Sequence, residues 1–322
     1  MSEQVRLLLI LLTFGVICQY YLILWIKNVP PPNMVSNETY FNATLEKLLR
    51  QRFPGSIGHS RVSNFLTDTL KELGFTTVRD EHLDEMKFIN MLGIMNTQAT
   101  NYLMLCCHYD SKYIADHEIY VGATDGAVSC AMLLTVIKNL NSYLLGEFKK
   151  RTDIGLLLVL FDGHESFEEV IDDFNSLNGS RHFAEAELIP LQSIELVITF
   201  NLIGAPNQIY MSHYENTYEL HSRLADIEQH LRDAGRLSNS HQLFHKLKDH
   251  DSDIEDDHYP FLMEGVPVMH IVPHTFPEVW HTDSDNLRNL HFPTIRNMNL
   301  IITQFVYEYL HNHSDEISRL PV

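Results

Sequence analysis

Three short segments of this 322-residue chain carry the side chains best suited to chemistry. Asp125 lies in Gly122-Ala123-Thr124-Asp125-Gly126-Ala127, and Glu165 closes Asp162-Gly163-His164-Glu165. His281 sits in Phe276-Pro277-Glu278-Val279-Trp280-His281-Thr282-Asp283. A catalytic zinc commonly takes three ligands from His, Asp and Glu and leaves a fourth position for water or substrate. Each residue also has an ordinary explanation. Asp125 suits a helix N-cap, Glu165 a solvated turn, and His281 a surface loop. What favours chemistry is that one Asp, one Glu and one His follow separate apolar runs.

Four such runs, 102–107, 155–161, 196–202 and 266–272, lack polar alternation, as strands buried on both faces do. Helical spacing marks 39–50, 61–73 (ending at Gly74), 127–140, 218–234 and 295–309. Strands alternating with helices predict a single α/β domain: a twisted, mostly parallel central sheet with helices on both faces. The polar residues fall at the strand ends: His108-Tyr109-Asp110, Asp162 to Glu165, Asn201, and Pro273 to His281. In open α/β sheets ligands bind outside the carboxyl ends of the strands. Four strand ends thus aim ionisable or amide groups at one rim.

The net charge of −19 argues against a nucleic-acid partner, since phosphate binding needs clustered Lys and Arg. Ahead of the domain, residues 7–26 carry no formal charge between Arg6 and Lys27, long enough for a bilayer-spanning helix. Pro30, Pro31 and Pro32 follow as a stiff stem. The expected organisation is a tail at 1–6, a signal anchor or cleaved signal at 7–26, a stem at 27–38 and a catalytic domain at 39–322. Acceptor sequons begin at Asn37, Asn42, Asn178 and Asn312 and favour the secretory lumen, with the membrane met through the N-terminal helix. The domain holds Cys106, Cys107 and Cys130. A Cys107–Cys130 bond would join a strand end to the helix starting beside it; three reduced, buried thiols are the alternative. The acidic run from Asp249 to Asp253 imitates a calcium loop, but Ile254 and Pro260 stand where Gly and Glu are needed.

Seven blocks in order carry a family resemblance: His108 to Tyr113, Val121 to Asp125, Phe161-Asp162-Gly163, Gly179-Ser180-Arg181-His182, Leu202 to Asn207, Asp256-Asp257-His258 and Phe276 to Asp283. They resemble the animal glutaminyl cyclases, relatives of the zinc aminopeptidases, from about Thr39 to the C-terminus. The resemblance implies one zinc on Asp125, Glu165 and His281, and cyclisation of N-terminal Gln, more slowly Glu, to pyroglutamate on peptides. The substrate's own α-amine attacks its side-chain amide, so the nucleophile is tethered and little entropy is lost. An acid/base group must carry a proton from amine to leaving ammonia.

Around the zinc residues this chain departs from the family. The glutamate expected before the zinc glutamate is His164, the aspartate ending the third strand is Asn201, and a pocket tryptophan is Val170. Asp256 and His258 keep their network and pocket positions, as do Phe276 and Trp280. His164 suits proton transfer near neutral pH, and zinc beside it would keep it neutral. It could instead swing onto the zinc and block it. Three expectations follow: a working or weakened cyclase using His164, a zinc-binding pseudoenzyme that captures peptide N-termini, or a zinc aminopeptidase acting through His108, Asp110 and a water.

Overall fold

The structure is a computed structural model and describes residues 36–84, 86–114, 120–165, 176–238, 241–252 and 254–313. The 7–26 segment, most of the stem and Val170 lie outside them.

Two amphipathic helices open the domain, α1 (Glu38–Leu48) and α2 (Ile57–Glu72). Asn37 caps the first by accepting a hydrogen bond from the Tyr40 backbone N–H, and Ser56 caps the second through His59. Gly74, at φ +92°, ends α2 in the left-handed conformation that glycine adopts without strain. The remaining elements follow in the order β1 (Thr76–Leu83), β2 (Lys87–Met95), β3 (Asn101–His108), α3 (Val128–Leu145), β4 (Ile154–Phe161), α4 (Asn178–Ala186) and β5 (Ile194–Phe200). The chain then adds β6 (Tyr210–Ser212), α5 (Tyr218–Asp233), β7 (Phe244–Lys248), the short α6 (Tyr259–Met263), β8 (Val268–Ile271) and α7 (Phe292–His311).

The main sheet has the order β1-β2-β4-β3-β5-β8. Strands β4, β3, β5 and β8 run parallel to one another, while β1 and β2 are antiparallel additions at one edge. All eight residues of β4 are buried, which explains its unbroken apolar sequence. The four apolar runs are therefore the parallel centre of a mixed sheet. The β1–β2 hairpin was not among them: β1 is polar and alternately exposed, as an edge strand can be. Strands β6 and β7 pair in parallel as a separate small sheet.

Among the described residues, one helical stretch, Ala123–Leu145, is long and apolar enough to cross a membrane. Most of its apolar window is buried inside the fold, so it serves as a core helix. Cys107, near the end of β3, is bonded to Cys130 in the first turn of α3. Cys106 stays a buried free thiol.

Candidate metal centre and its surroundings

Asp125 does not cap a helix. It lies in a π-helical turn, Ala123–Ala127, with non-helical dihedrals at Asp125 and Gly126, and α3 begins after it without a side-chain cap. Gly126, at φ +91°, is needed there because a Cβ would stand 2.7 Å from the carbonyl oxygen of His108. The turn is anchored from two sides. Asp285 accepts hydrogen bonds from the backbone N–H groups of Thr124 (2.7 Å) and Asp125 (3.1 Å). Arg52, fully buried, donates to the carbonyl oxygens of Tyr109, Gly122 and Asp125 and also reaches that of Val121. Nothing in the sequence marks Arg52 or Asp285, because neither lies beside a strand end.

These supports bring Asp125, Glu165 and His281 together, one ligand atom from each lying within 4.8 Å of the others. His281 Nε2 stands 3.4 Å from Asp125 Oδ2 and 3.5 Å from Glu165 Oε1. Tetrahedral zinc with ligands at about 2.0–2.1 Å needs donors about 3.3 Å apart, so the set fits such an ion. Both carboxylates are buried, and burial without a counter-charge is costly, which also suits a cation. Burial opposes the charge on His281, yet Asp125 and Glu165 raise its pKa to about 9. A bound cation would compete with that proton. Outside the donor set, Tyr120 donates to Asp125 at 2.7 Å, and Lys112 stands 3.5 Å from Glu165. Asp110 accepts the Glu165 backbone N–H at 3.0 Å. His281 itself has φ +55°, a strained conformation for a non-glycine residue.

A hydrogen-bonded chain runs inward from this centre. His108 Nε2 lies 3.4 Å from Asp125 and 3.2 Å from Asn201 Oδ1, and the Asn201 amide donates to Asp256 at 3.1 Å. Asp256 in turn meets His270 at 2.8 Å. The His164 ring stacks on His108 at 3.9 Å and points Nδ1 at Asp257 (3.2 Å) and Asp256 (3.6 Å). Burial and the neighbouring His108 oppose its charge, but Asp257 and Asp256 raise its pKa to about 9. Tertiary folding places this pair of carboxylates at Nδ1, and a zinc ion on the neighbouring Glu165 would oppose the proton they favour. For His108, burial is likewise opposed and outweighed by Asp110 and Asp125, which hold its pKa well above the usual value.

At the mouth, Trp280 stacks on the His281 ring at 4.0 Å and Phe276 meets Trp280 edge-on at 5.0 Å. Trp280 is 39% exposed and available to a ligand. His258, expected at the pocket, is fully buried, bonded to the Tyr214 hydroxyl and stacked on His270 at 4.1 Å, so it packs against the network that ends at Asp256.

The fold and donor set define an α/β protein with a carboxylate–histidine centre at the C-terminal edge of its parallel strands. Residues 90–306 match peptidase family M28. The glutaminyl-peptide cyclotransferase of Gloydius blomhoffii is 36% identical over 293 residues, covering 83% of this chain and 79% of that protein. The crystal structure of Macrostomum lignano glutaminyl cyclase superposes with a TM-score of 0.79 at 29% identity, covering 87% of this chain and 91% of the other. A zinc-dependent exopeptidase from Parabacteroides distasonis shares the fold alone, with a TM-score of 0.70, 20% identity, and 86% and 99% of the two chains covered. This chain belongs to peptidase family M28 and, within it, to the glutaminyl-peptide cyclotransferases.

Proposed function

We propose that the chain is a zinc-dependent glutaminyl-peptide cyclotransferase, converting N-terminal Gln, and more slowly Glu, of peptides to pyroglutamate with release of ammonia or water. The observation that carries this is the donor set Asp125, Glu165 and His281, gathered beside Trp280 at the sheet rim of a chain 36% identical to a cyclotransferase. One zinc held there would polarise the side-chain carbonyl of the substrate as a Lewis acid. Trp280 and Phe276 offer aromatic faces to the substrate. His164, whose extra proton a zinc ion on the adjacent Glu165 would disfavour, takes a proton from the attacking α-amine as a neutral imidazole and delivers it to the departing ammonia as the new N–C bond replaces the old one. Asp257 orients the ring at Nδ1, as a carboxylate does for a catalytic imidazole, and leaves Nε2 for the substrate. Asn201, unable to shuttle protons, holds His108 and Asp256 in place.

The test offers the purified, zinc-loaded protein a Gln-peptide and a Leu-peptide. Ammonia and pyroglutamate should form from the first, and His281→Ala should lose both zinc and turnover. His164→Ala should lower kcat by about 10²–10⁴-fold, the usual contribution of an acid/base group. Tight binding of the Gln-peptide without product, with turnover appearing only in His164→Glu/Asn201→Asp, would identify a pseudoenzyme. Free leucine would identify a peptidase.

We also place the chain in the secretory lumen, anchored by residues 7–26, with 27–38 as stem and 39–322 as catalytic domain. The apolar run and the sequons support this. Asn42 is exposed and Asn37 uses only its side-chain oxygen in capping, so both can carry glycan. Asn178, half-buried at the start of α4 with its amide 3.4 Å from the Gly163 carbonyl, should stay bare. Endoglycosidase digestion of the expressed chain, followed by peptide mapping, checks this. Unmodified Asn37 and Asn42 would contradict a lumenal domain.

A further inference from the structure

We infer that Asp80, His82 and His182 form a second metal site, separate from the Asp125 centre, that takes a divalent cation of the zinc class. Asp80 and His82 lie on the edge strand β1 and His182 on α4, and one ligand atom from each falls within 4.8 Å of the others. His182 Nε2 is 3.1 Å from Asp80 Oδ1. That is close to the donor separation of about 3.3 Å around tetrahedral zinc, so a cation fits between these two donors in place of the hydrogen bond.

The remaining groups are arranged as a ligand set requires. Asp80 is 7% exposed, and its second oxygen accepts a hydrogen bond from the Asn90 amide at 2.9 Å, the outer support that ligating carboxylates commonly have. His82 packs its ring 4.0 Å from that of His182. Both of its ring nitrogens are buried, and neither has a hydrogen-bond partner among the described residues. Leaving buried polar nitrogens unpaired is costly, and a cation shared with Asp80 and His182 would satisfy one. The two rings are nearly parallel, at 11°, so their in-plane lone pairs cannot meet at one point as they stand. One ring must turn about its Cβ–Cγ bond, and the His182 side chain, 31% exposed, has room to do so. Two imidazoles and a carboxylate favour zinc over calcium or magnesium, which prefer all-oxygen sites.

An ion here would clasp the edge strand to α4. The start of α4 is fastened to the turn that leads to Glu165, through Gly179 N–H to the Asp162 carbonyl (3.0 Å) and Asn178 N–H to the Gly163 carbonyl (2.9 Å). Asn90 ties the two regions further, donating to Asp80 and to the Gly179 carbonyl while accepting the Asp162 N–H. The second ion would therefore brace the segment carrying Glu165 without touching substrate.

The full chain, stripped with chelator and equilibrated at buffered micromolar free zinc, is analysed for metal per chain. Wild type should hold two ions, His82→Phe and His182→Gln one, His281→Ala one, and His82→Phe/His281→Ala none. Cobalt in place of zinc should show the absorption of two sites in wild type and of one in each single variant. His82→Phe keeps the stacked ring, so its metal-free melting temperature should match wild type and a lower ion count would reflect lost ligation. A single ion in wild type, or an unchanged count in His82→Phe, overturns the proposal. Loss of cyclase turnover with two ions still bound would overturn the proposed function and leave this site standing.

Discussion

At the residue scale, the metal centre depends on backbone conformations that few side chains tolerate. Gly126 sits at φ +91° against the His108 carbonyl, and His281 itself lies at φ +55°. Gly126→Ala should destabilise the domain by about 1–3 kcal/mol from backbone strain, with the Cβ contact adding to it. Because the same shift moves Asp125, it should also lower zinc affinity, which denaturant melts and zinc titration of the variant would read separately. An alanine variant with unchanged melt and unchanged affinity would mean the turn relaxes without cost. The pairing of His164 with Asp257 belongs to this scale too. Where the family resemblance implies a glutamate, this chain has a histidine with two carboxylates at its Nδ1, so a titratable group stays at that point.

At the element scale, the loop between α1 and α2 reaches across to the Asp125 turn through one side chain. Arg52 donates to carbonyls of Tyr109, Gly122 and Asp125, from β3's end and from the π turn. Replacing it with Met would remove a donor from each of those oxygens, of which Gly122 keeps the Ala127 N–H, and an oxygen left unpaired costs roughly 1–3 kcal/mol. Arg52→Met should therefore lower stability by about 3 kcal/mol or more and weaken metal binding, measured by calorimetry with and without zinc. Arg52→Lys should recover only part of the loss, since an ammonium cannot spread over several carbonyls as the planar guanidinium does. If Lys restores everything, a single contact is sufficient and the fork geometry is incidental.

Across the whole molecule, buried histidines set the response to acid. His213 and His221 are both pushed down from 6.5 to about 4, chiefly by burial; His270 adds to the effect at His213, while a hydrogen bond to the His245 carbonyl works against it at His221. Their folded pKa values lie below the unfolded one, so between pH 6.5 and 4 the unfolded chain binds protons that the folded chain refuses. Stability is full above about pH 6.5 and falls as pH drops toward 4, on the order of 2 kcal/mol for each histidine. Urea melts across that range should show the decline, and His213→Gln with His221→Gln should flatten it. A slope unchanged in the double variant would assign acid sensitivity to other groups.

The sequence by itself determined the parallel centre of the sheet, because strands buried on both faces are mostly apolar without polar alternation, and 102–107, 155–161, 196–202 and 266–272 are. It also pointed to one edge of the sheet, since Asp125, Glu165 and His281 all follow strands whose carboxyl ends share it, and the fold brings the three together there. The β1–β2 hairpin escaped it because an edge strand needs no continuous apolar face. Arg52, Asp285 and the partnership of His164 with Asp257 escaped for another reason. Their importance comes from contacts between residues 57 to 161 positions apart, which no local pattern encodes. The same holds for His258, whose partners Tyr214 and His270 no local pattern indicates. Side-chain type and spacing are local properties, whereas burial, partner and protonation are set by what the fold brings alongside, and only the tertiary structure decided those.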